Sequence, residues 1–215
     1  MKISVVIPAH NEAKRIGSVL SEIKKTGLEV FVVDDGSKDG TFKVAGKYTP
    51  NVLRHGVNLG KGAALKTGCK AAFGLGAGAV ILMDADGQHK ASDLPRFIKA
   101  LKECEVVFGE RDLAGTPTMR LLGNRLITFL VKVLFGIKVG DILCGFKALT
   151  KRAYRKINWA SSGYSVETEI AAMTGKYRLK YCQVPVATLY YDKFKGLTVT
   201  AGLEILVDII RFKLR

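Results

Sequence analysis

An α/β fold with a mostly parallel central sheet is what this sequence predicts, and three observations predict it. Short, almost wholly apolar runs recur at Ile3–Ile7, Val30–Val33, Val80–Met83 and Val106–Phe108, as in strands covered on both faces. Between them lie stretches with apolar residues at helical spacing, and strands alternating with helices imply a parallel sheet. Three of the runs end in polar clusters: His10-Asn11-Glu12, Asp34-Asp35 and Asp84-Ala85-Asp86. Ligands of such sheets bind beyond the carboxyl ends of the strands. A core has no use for carboxylates at repeated strand ends, so their recurrence points to a site.

Taken in order, the first strand stops at Pro8, and Asn11 is placed to cap a helix over Ala13–Lys25. There Ile16, Val19, Leu20 and Ile23 share one face, and Gly27 ends the helix. The second strand runs into Asp34-Asp35-Gly36-Ser37. A helix over about Asp39–Tyr48 follows, then a strand near Val52–Arg54 and a helix from Asn58-Leu59-Gly60-Lys61-Gly62 to about Phe73. The fourth strand precedes Asp84, Ser92 or Asp93 caps the next helix, and Glu105–Gly109 is the fifth strand. Thr118–Phe135 reads as a long amphipathic helix, with Arg120, Asn124, Thr128 and Lys132 as its polar stripe and Gly136 at its end. A loop over Asp141–Lys147 leads to a short strand. Gly163–Met173 holds a helix with Glu167 and Glu169, and Leu179–Tyr191 is extended but broken at Pro185. The last stretch, about Thr198–Arg215, is helical. Glu204, Asp208, Arg211 and Arg215 line one face; Leu203, Leu206, Val207, Ile210 and Leu214 line another.

The 215 residues carry 48% hydrophobic and 25% charged side chains, enough for a proper core. The net charge of +15 is uneven. Residues 1–110 have 16 Lys/Arg against 12 Asp/Glu, whereas residues 111–215 have 18 against 7. A basic second half suits a phosphorylated substrate, an anionic membrane surface or nucleic acid. Cys69, Cys104, Cys144 and Cys182 form no C-x-x-C pair, so reduced thiols are expected in place of a disulfide framework or zinc site. No signal peptide is read at the N-terminus, and no apolar run approaches the roughly 20 residues of a spanning helix.

The stretch from Val80 to Gln88 carries the chemistry. Asp84 and Asp86 are two apart, so an extended backbone would point both carboxylates the same way, with the Gln88 oxygen continuing that parity. Oxygen donors of this kind suit Mg²⁺ or Mn²⁺ shared with a substrate diphosphate; the alternative is a polar turn that binds nothing. Two phosphate-loop patterns fail. Gly56–Gly62 is one residue short of a P-loop and has Gly62 where Ser or Thr should stand, and Gly74, Gly76 and Gly78 precede a strand instead of following one. No nucleophilic triad stands out among His10, His55 and His89, and His89 reads as a neighbour of the cation site more readily than as a ligand.

Pro8-Ala9-His10-Asn11-Glu12, Asp34-Asp35-Gly36-Ser37, Asn58-Leu59-Gly60-Lys61-Gly62 and Asp84-Ala85-Asp86-Gly87-Gln88 occur together and in this order. With them the chain resembles glycosyltransferase family 2. Gly109-Glu110-Arg111, Arg120 with Asn124, Asp141 through Cys144-Gly145-Phe146-Lys147, and Gly163-Tyr164-Ser165-Val166-Glu167-Thr168-Glu169 narrow the resemblance to the polyprenyl-phosphate branch, which includes dolichol-phosphate mannose and glucose synthases. The resemblance implies a GT-A nucleotide-sugar-binding fold in one catalytic domain over 1–195, with a nucleotide-sugar half (1–110), an acceptor half (111–195) and a C-terminal amphipathic helix (196–215). It implies a nucleotide site at Pro8, Ala9, Glu12, Asp34, Asp35, Lys61, Asp84 and Ala85, and a cation, Mg²⁺ or Mn²⁺, on Asp84, Asp86 and Gln88. Arg111, Arg120 and Asn124 would grip the acceptor phosphate, as Arg forks suit. Asp86, Arg111 and Arg120 would be the catalytic group. Glu167 and Glu169 stay open between an acceptor-side and a structural role.

The implied reaction is metal-dependent, inverting transfer of one sugar from a GDP-mannose or UDP-glucose type donor to a polyprenyl or dolichyl phosphate. The expected location is cytoplasmic, peripheral on the cytoplasmic face of the membrane. Some relatives carry transmembrane helices and Ser where Asn124 and Cys144 stand; here helices 118–135 and 196–215 offer interfacial apolar faces instead. One rival is a family 2 enzyme with a soluble or glycan acceptor. Another is a non-catalytic basic nucleotide- or nucleic-acid-binding protein. It is disfavoured because the aromatics do not interleave with the basic residues as stacking platforms would, so no nucleic acid is expected among the partners.

Overall fold

The structure, a computed structural model, describes residues 1–112, 118–187 and 199–214. A seven-stranded sheet has the order β3-β2-β1-β4-β6-β5-β7. Its strands are β1 (Ile3–Ala9), β2 (Glu29–Asp34), β3 (Val52–Arg54), β4 (Ala79–Leu82), β5 (Val106–Arg111), β6 (Lys147–Thr150) and β7 (Tyr181–Val186). All neighbours pair parallel except β6, which lies antiparallel between β4 and β5. The expected mostly parallel sheet is therefore present.

The helices are α1 (Ile16–Lys24), α2 (Thr41–Ala45), α3 (Lys61–Gly74), α4 (Leu94–Ala100), α5 (Thr118–Phe135), α6 (Lys151–Ile157), α7 (Val166–Lys176) and α8 (Val199–Leu214), with a 3₁₀ turn at Ala91–Asp93. Alternation along the strands sends Val5, Ile7, Val30 and Val32 to one face, against α1, α2 and α4. Val6 and Phe31 go to the other, against α3 and α5–α8. Both faces are thus covered, which is why the strands read as continuous apolar runs.

Strand order reverses between β1 and β4, because β1 leads outward to β2 on one side while β4 lies on the other. Such a switch point opens a crevice at the carboxyl ends of the strands. Here that crevice holds the residues after Ala9 and after Leu82. The antiparallel β6 adds a third segment. Lys147 is in register with Leu82 of β4 and Phe108 of β5, so the 141–146 loop enters at the same edge.

Several local expectations change. Pro8 lies inside β1, paired with Val33, and Pro185 lies inside β7 opposite Glu110. Asn11 does not cap α1: it sits at φ 56° and its Oδ1 accepts from the Lys38 N–H, joining two loops. Asp93 stands at the N-cap position of α4, as expected, but makes no side-chain capping bond there, since its carboxylate takes Arg96 and the Ala187 N–H. Helix α6, between β6 and Asn158, has no counterpart in the sequence reading. The expected extended path at 188–191, the start of the terminal helix at 196–198 and Arg215 lie outside the described residues.

Candidate active site

Helix α3 and the loop before α7 meet through backbone contacts that only glycine permits. Gly60 has φ +95°, and a Cβ on Gly62 would stand 2.1 Å from the Ser161 carbonyl oxygen. The Ala63 N–H donates to Ser162 O and the Trp159 Nε1–H to Gly62 O. The loop before α7 is thereby pinned on the first turn of α3. Glu169 braces that loop from behind, accepting from the Ala160 and Ser161 N–H groups and the Ser161 hydroxyl. Glu169 is thus engaged with the backbone of the 160–161 segment.

At the donor end, Asp34 is buried, with Oδ1 accepting from the Ser37 N–H and Oδ2 3.1 Å from Arg54 Nε. Glu12 is buried nearby, with Arg15 at 3.6 Å and its N–H on Thr41 Oγ1. Asp35, expected as a nucleotide ligand, accepts from the Leu59 and Gly60 N–H groups and pairs with the His55 ring. Its place in the structure is to fix the 58–60 loop.

Asp84 and Asp86 do not extend the strand, because β4 ends at Leu82 and Ala85–Asp86 form a turn. Pleat parity therefore does not align them; the turn does, with Asp86 Oδ1 accepting from the Gln88 N–H. Burial raises the Asp86 carboxyl and the Asp84 charge raises it further. Two mutually repelling carboxylates at a buried turn fit a hard divalent cation. Among the described residues no three His, Cys, Asp or Glu side chains gather as a ready-made metal cluster. His89 is buried against Phe146 at 5.1 Å, and burial pushes its pKa down to about 4, so it is neutral near pH 7.

Lys61 reaches into this site from the start of α3. Its Nζ lies 2.6 Å from Asp84 Oδ1 and 2.6 Å from Glu167 Oε1. Burial alone would lower its pKa, but the two carboxylates outweigh that and hold it above the usual lysine range. Asp84 shows the converse: burial raises it, and Lys61 more than offsets this. On the other side of Asp84 lies bare backbone, since a Cβ on Gly145 would stand 2.2 Å from Asp84 Oδ2.

The loop bearing Gly145 also builds the cationic end. Asp141, buried, accepts two hydrogen bonds from Arg111 and one from Asn124 Nδ2 at 3.0 Å. Lys147 is fully buried and ties the loop from within, donating to Ile142 O at 2.9 Å and to Cys144 O. Arg111 and Asn124 are thus brought together as expected. The side chain of Arg120 lies outside the described residues. Asp141, Lys147 and Gly145 had no assigned role in the sequence reading, although their motif was visible in it.

The expected stripe of α5 is rotated. Asn124 faces inward to Asp141, Ile127, Val131 and Phe135 are buried, and Leu122, Leu126, Phe129 and Val133 are exposed. On α8, Ile205, Ile209 and Phe212 are buried while Val207, Ile210 and Leu214 are exposed. Hydrophobic spacing identified both helices, and the structure decides which of their apolar residues are buried.

Comparison with known proteins agrees with this geometry. A UDP-N-acetylglucosamine–dolichyl-phosphate N-acetylglucosaminyltransferase of Methanococcus voltae is 29% identical, over 99% of this chain and 96% of its own. A dolichyl-phosphate beta-glucosyltransferase of Trichomonas vaginalis is 30% identical, over 97% of this chain and 72% of its own. The solved structure of Mycobacterium tuberculosis glucosyl-3-phosphoglycerate synthase, in complex with Mn²⁺, UDP-glucose and phosphoglyceric acid, superposes with a TM-score of 0.77 at 22% identity, covering 99% of this chain and 79% of that one. It shares the GT-A fold. Residues 4–158 match the family described as Glycosyl transferase family 2. The chain belongs to that family and is a glycosyltransferase.

Proposed function

We propose that this protein transfers a sugar from a nucleotide sugar to a polyprenyl phosphate at a membrane surface. The observation that carries the reading is the 141–147 loop, which joins an acidic donor end to a cationic acceptor end. Its Gly145 backs Asp84, while its Asp141 fixes the fork of Arg111. The curated relatives named above use a dolichyl phosphate acceptor, as their names state. Their sugars differ, so mannose, glucose and N-acetylglucosamine donors are all to be tested.

In this reading Pro8, Ala9, Glu12 and Asp34 hold the nucleotide, with Lys61 near the diphosphate. Asp84, Asp86 and Gln88 would hold Mg²⁺ or Mn²⁺, which when bound neutralises charge developing on the diphosphate leaving group. Arg111, Arg120 and Asn124 hold the acceptor phosphate. A phosphate is already anionic at neutral pH, so positioning replaces deprotonation and no dedicated base is required. In-line attack inverts the anomeric configuration.

Helices α5 and α8 pack on each other and supply the membrane contact. Their outward Leu122, Leu126, Phe129 and Val133, with Val207, Ile210 and Leu214, are flanked by exposed Arg125, Lys132, Arg211 and Lys213. Apolar side chains beside basic ones suit the interface of an anionic leaflet, and the cytoplasmic face is the side we assign. No helix among the described residues is long and apolar enough to cross a membrane. The test is radiolabel transfer from GDP-mannose, UDP-glucose and UDP-N-acetylglucosamine to polyprenyl phosphate in detergent, with Mn²⁺ and with chelator. Metal-dependent label in the lipid phase is expected. Donor turnover onto a soluble acceptor with no lipid label overturns the acceptor assignment.

A further inference from the structure

We propose that Lys61 is the resident counter-ion of Asp84 when no metal is bound, and that Glu167 is the seat to which Lys61 retires when a divalent cation takes Asp84. Glu167 is then a positioning residue that sets the metal affinity of the site through Lys61. This rests on the reading of Asp84 and Asp86 as the cation ligands.

Three observations carry it. The Lys61 ammonium is shared at 2.6 Å each between Asp84 Oδ1 and Glu167 Oε1, carboxylates that come from different parts of the chain. The other Asp84 oxygen, Oδ2, lies against the Gly145 backbone, which also stands close to the Lys61 ammonium. A cation approaching Asp84 must therefore compete with Lys61 for the same carboxylate. Finally, Glu167 Oε2 is buried and accepts no hydrogen bond among the described residues. A buried carboxylate oxygen left without a donor is costly, and it is the acceptor that a second Lys61 N–H can use once Asp84 is given up.

The energetics favour an exchange over an expulsion. Removing one partner of a buried ion pair leaves an uncompensated charge and is strongly unfavourable. With Glu167 present, the ammonium keeps a carboxylate whether or not metal is bound. Without Glu167, metal binding strands a buried ammonium, so Lys61 holds Asp84 more firmly. Glu169, two residues on, cannot substitute, since its oxygens are occupied by Ala160 and Ser161.

The experiment measures Mn²⁺ binding to the nucleotide-free protein by loss of the free-Mn²⁺ electron paramagnetic resonance signal. It compares wild type, Glu167→Gln, Lys61→Gln and the double variant, with circular dichroism to confirm folding. Glu167→Gln is expected to weaken Mn²⁺ about tenfold. Lys61→Gln is expected to bind Mn²⁺ more tightly than wild type, and adding Glu167→Gln to it should change affinity by no more than about twofold. Equal weakening by Glu167→Gln in both backgrounds means that Glu167 acts through its charge alone and overturns the proposal, as does unchanged binding. If Glu167→Gln does not fold, Lys61→Gln still decides, because failure to tighten Mn²⁺ sinks the competition. Absence of Mn²⁺ binding by wild type, alone and with UDP or GDP, removes the cation site itself and this inference with it.

Discussion

Arg111 and Asp141 meet through two parallel hydrogen bonds, Nε to Oδ2 at 2.5 Å and one terminal nitrogen to Oδ1 at 3.0 Å. Burial alone would raise the Asp141 carboxyl, but the hydrogen bonds and charge of Arg111, with Asn124, hold it below the usual range. A folded pKa below the unfolded value of about 3.9 contributes stability that is present above that pH and lost as pH falls through the folded pKa. Asp141→Asn should cost about 2 kcal/mol at pH 7, and the gap from wild type should close in acid, as pH falls through the folded pKa. Urea unfolding at neutral pH and in acid checks the sign. A raised KM for polyprenyl phosphate should accompany it, because the Arg111 fork is no longer fixed.

Gly145→Ala tests close approach instead of charge. The new Cβ would stand 2.2 Å from Asp84 Oδ2 and 2.9 Å from Lys61 Nζ, so Asp84 has to move. Displacing a reacting-site group by about 1 Å can cost around 100-fold in rate. Sugar transfer should fall by about that factor while far-UV circular dichroism is unchanged.

Asp86→Asn removes the carboxylate whose neighbour makes it reluctant to ionise. A metal held by Asp84 and Asp86 would lose one ligand. Transfer should drop by about 100-fold at every Mn²⁺ concentration tried, and full rescue by added Mn²⁺ would count against a ligand role.

Phe129→Glu combined with Ile210→Glu alters two exposed apolar side chains, each about 60% accessible, on α5 and α8. Neither is in the core, so unfolding should shift little. Sedimentation with vesicles containing phosphatidylglycerol should show at least about tenfold less bound protein. Unchanged binding would mean that these faces do not meet the membrane.

Much of the fold was legible. The bounds of α5 at Thr118 and Phe135 follow from periodicity and from Gly136, and β2 and β4 end close to the abrupt changes of polarity at Val33–Asp34 and Met83–Asp84. Other features were hidden for a common reason. Asn11 and Asp93 carry helix-capping chemistry, yet each found a backbone donor on a distant loop, and a local rule has no term for that competition. Helix α6 was missed because Lys151–Ile157 is short and buries only Ala153 and Ile157, too few to set a period.

The sequence by itself determined the alternation of strands and helices, the polar clusters at the strand ends and the family, because these depend on residues close together in the chain. Only the tertiary structure decided that β6 inserts antiparallel and carries the 141–146 loop to the edge where β4 and β5 end. It also decided that Asp35 is engaged by the loop it fixes, that Asn124 turns inward, and that Lys61 is shared by Asp84 and Glu167. Charge pairing of this kind is a property of distance in space, and burial sharpens it by removing the water that would otherwise screen each partner.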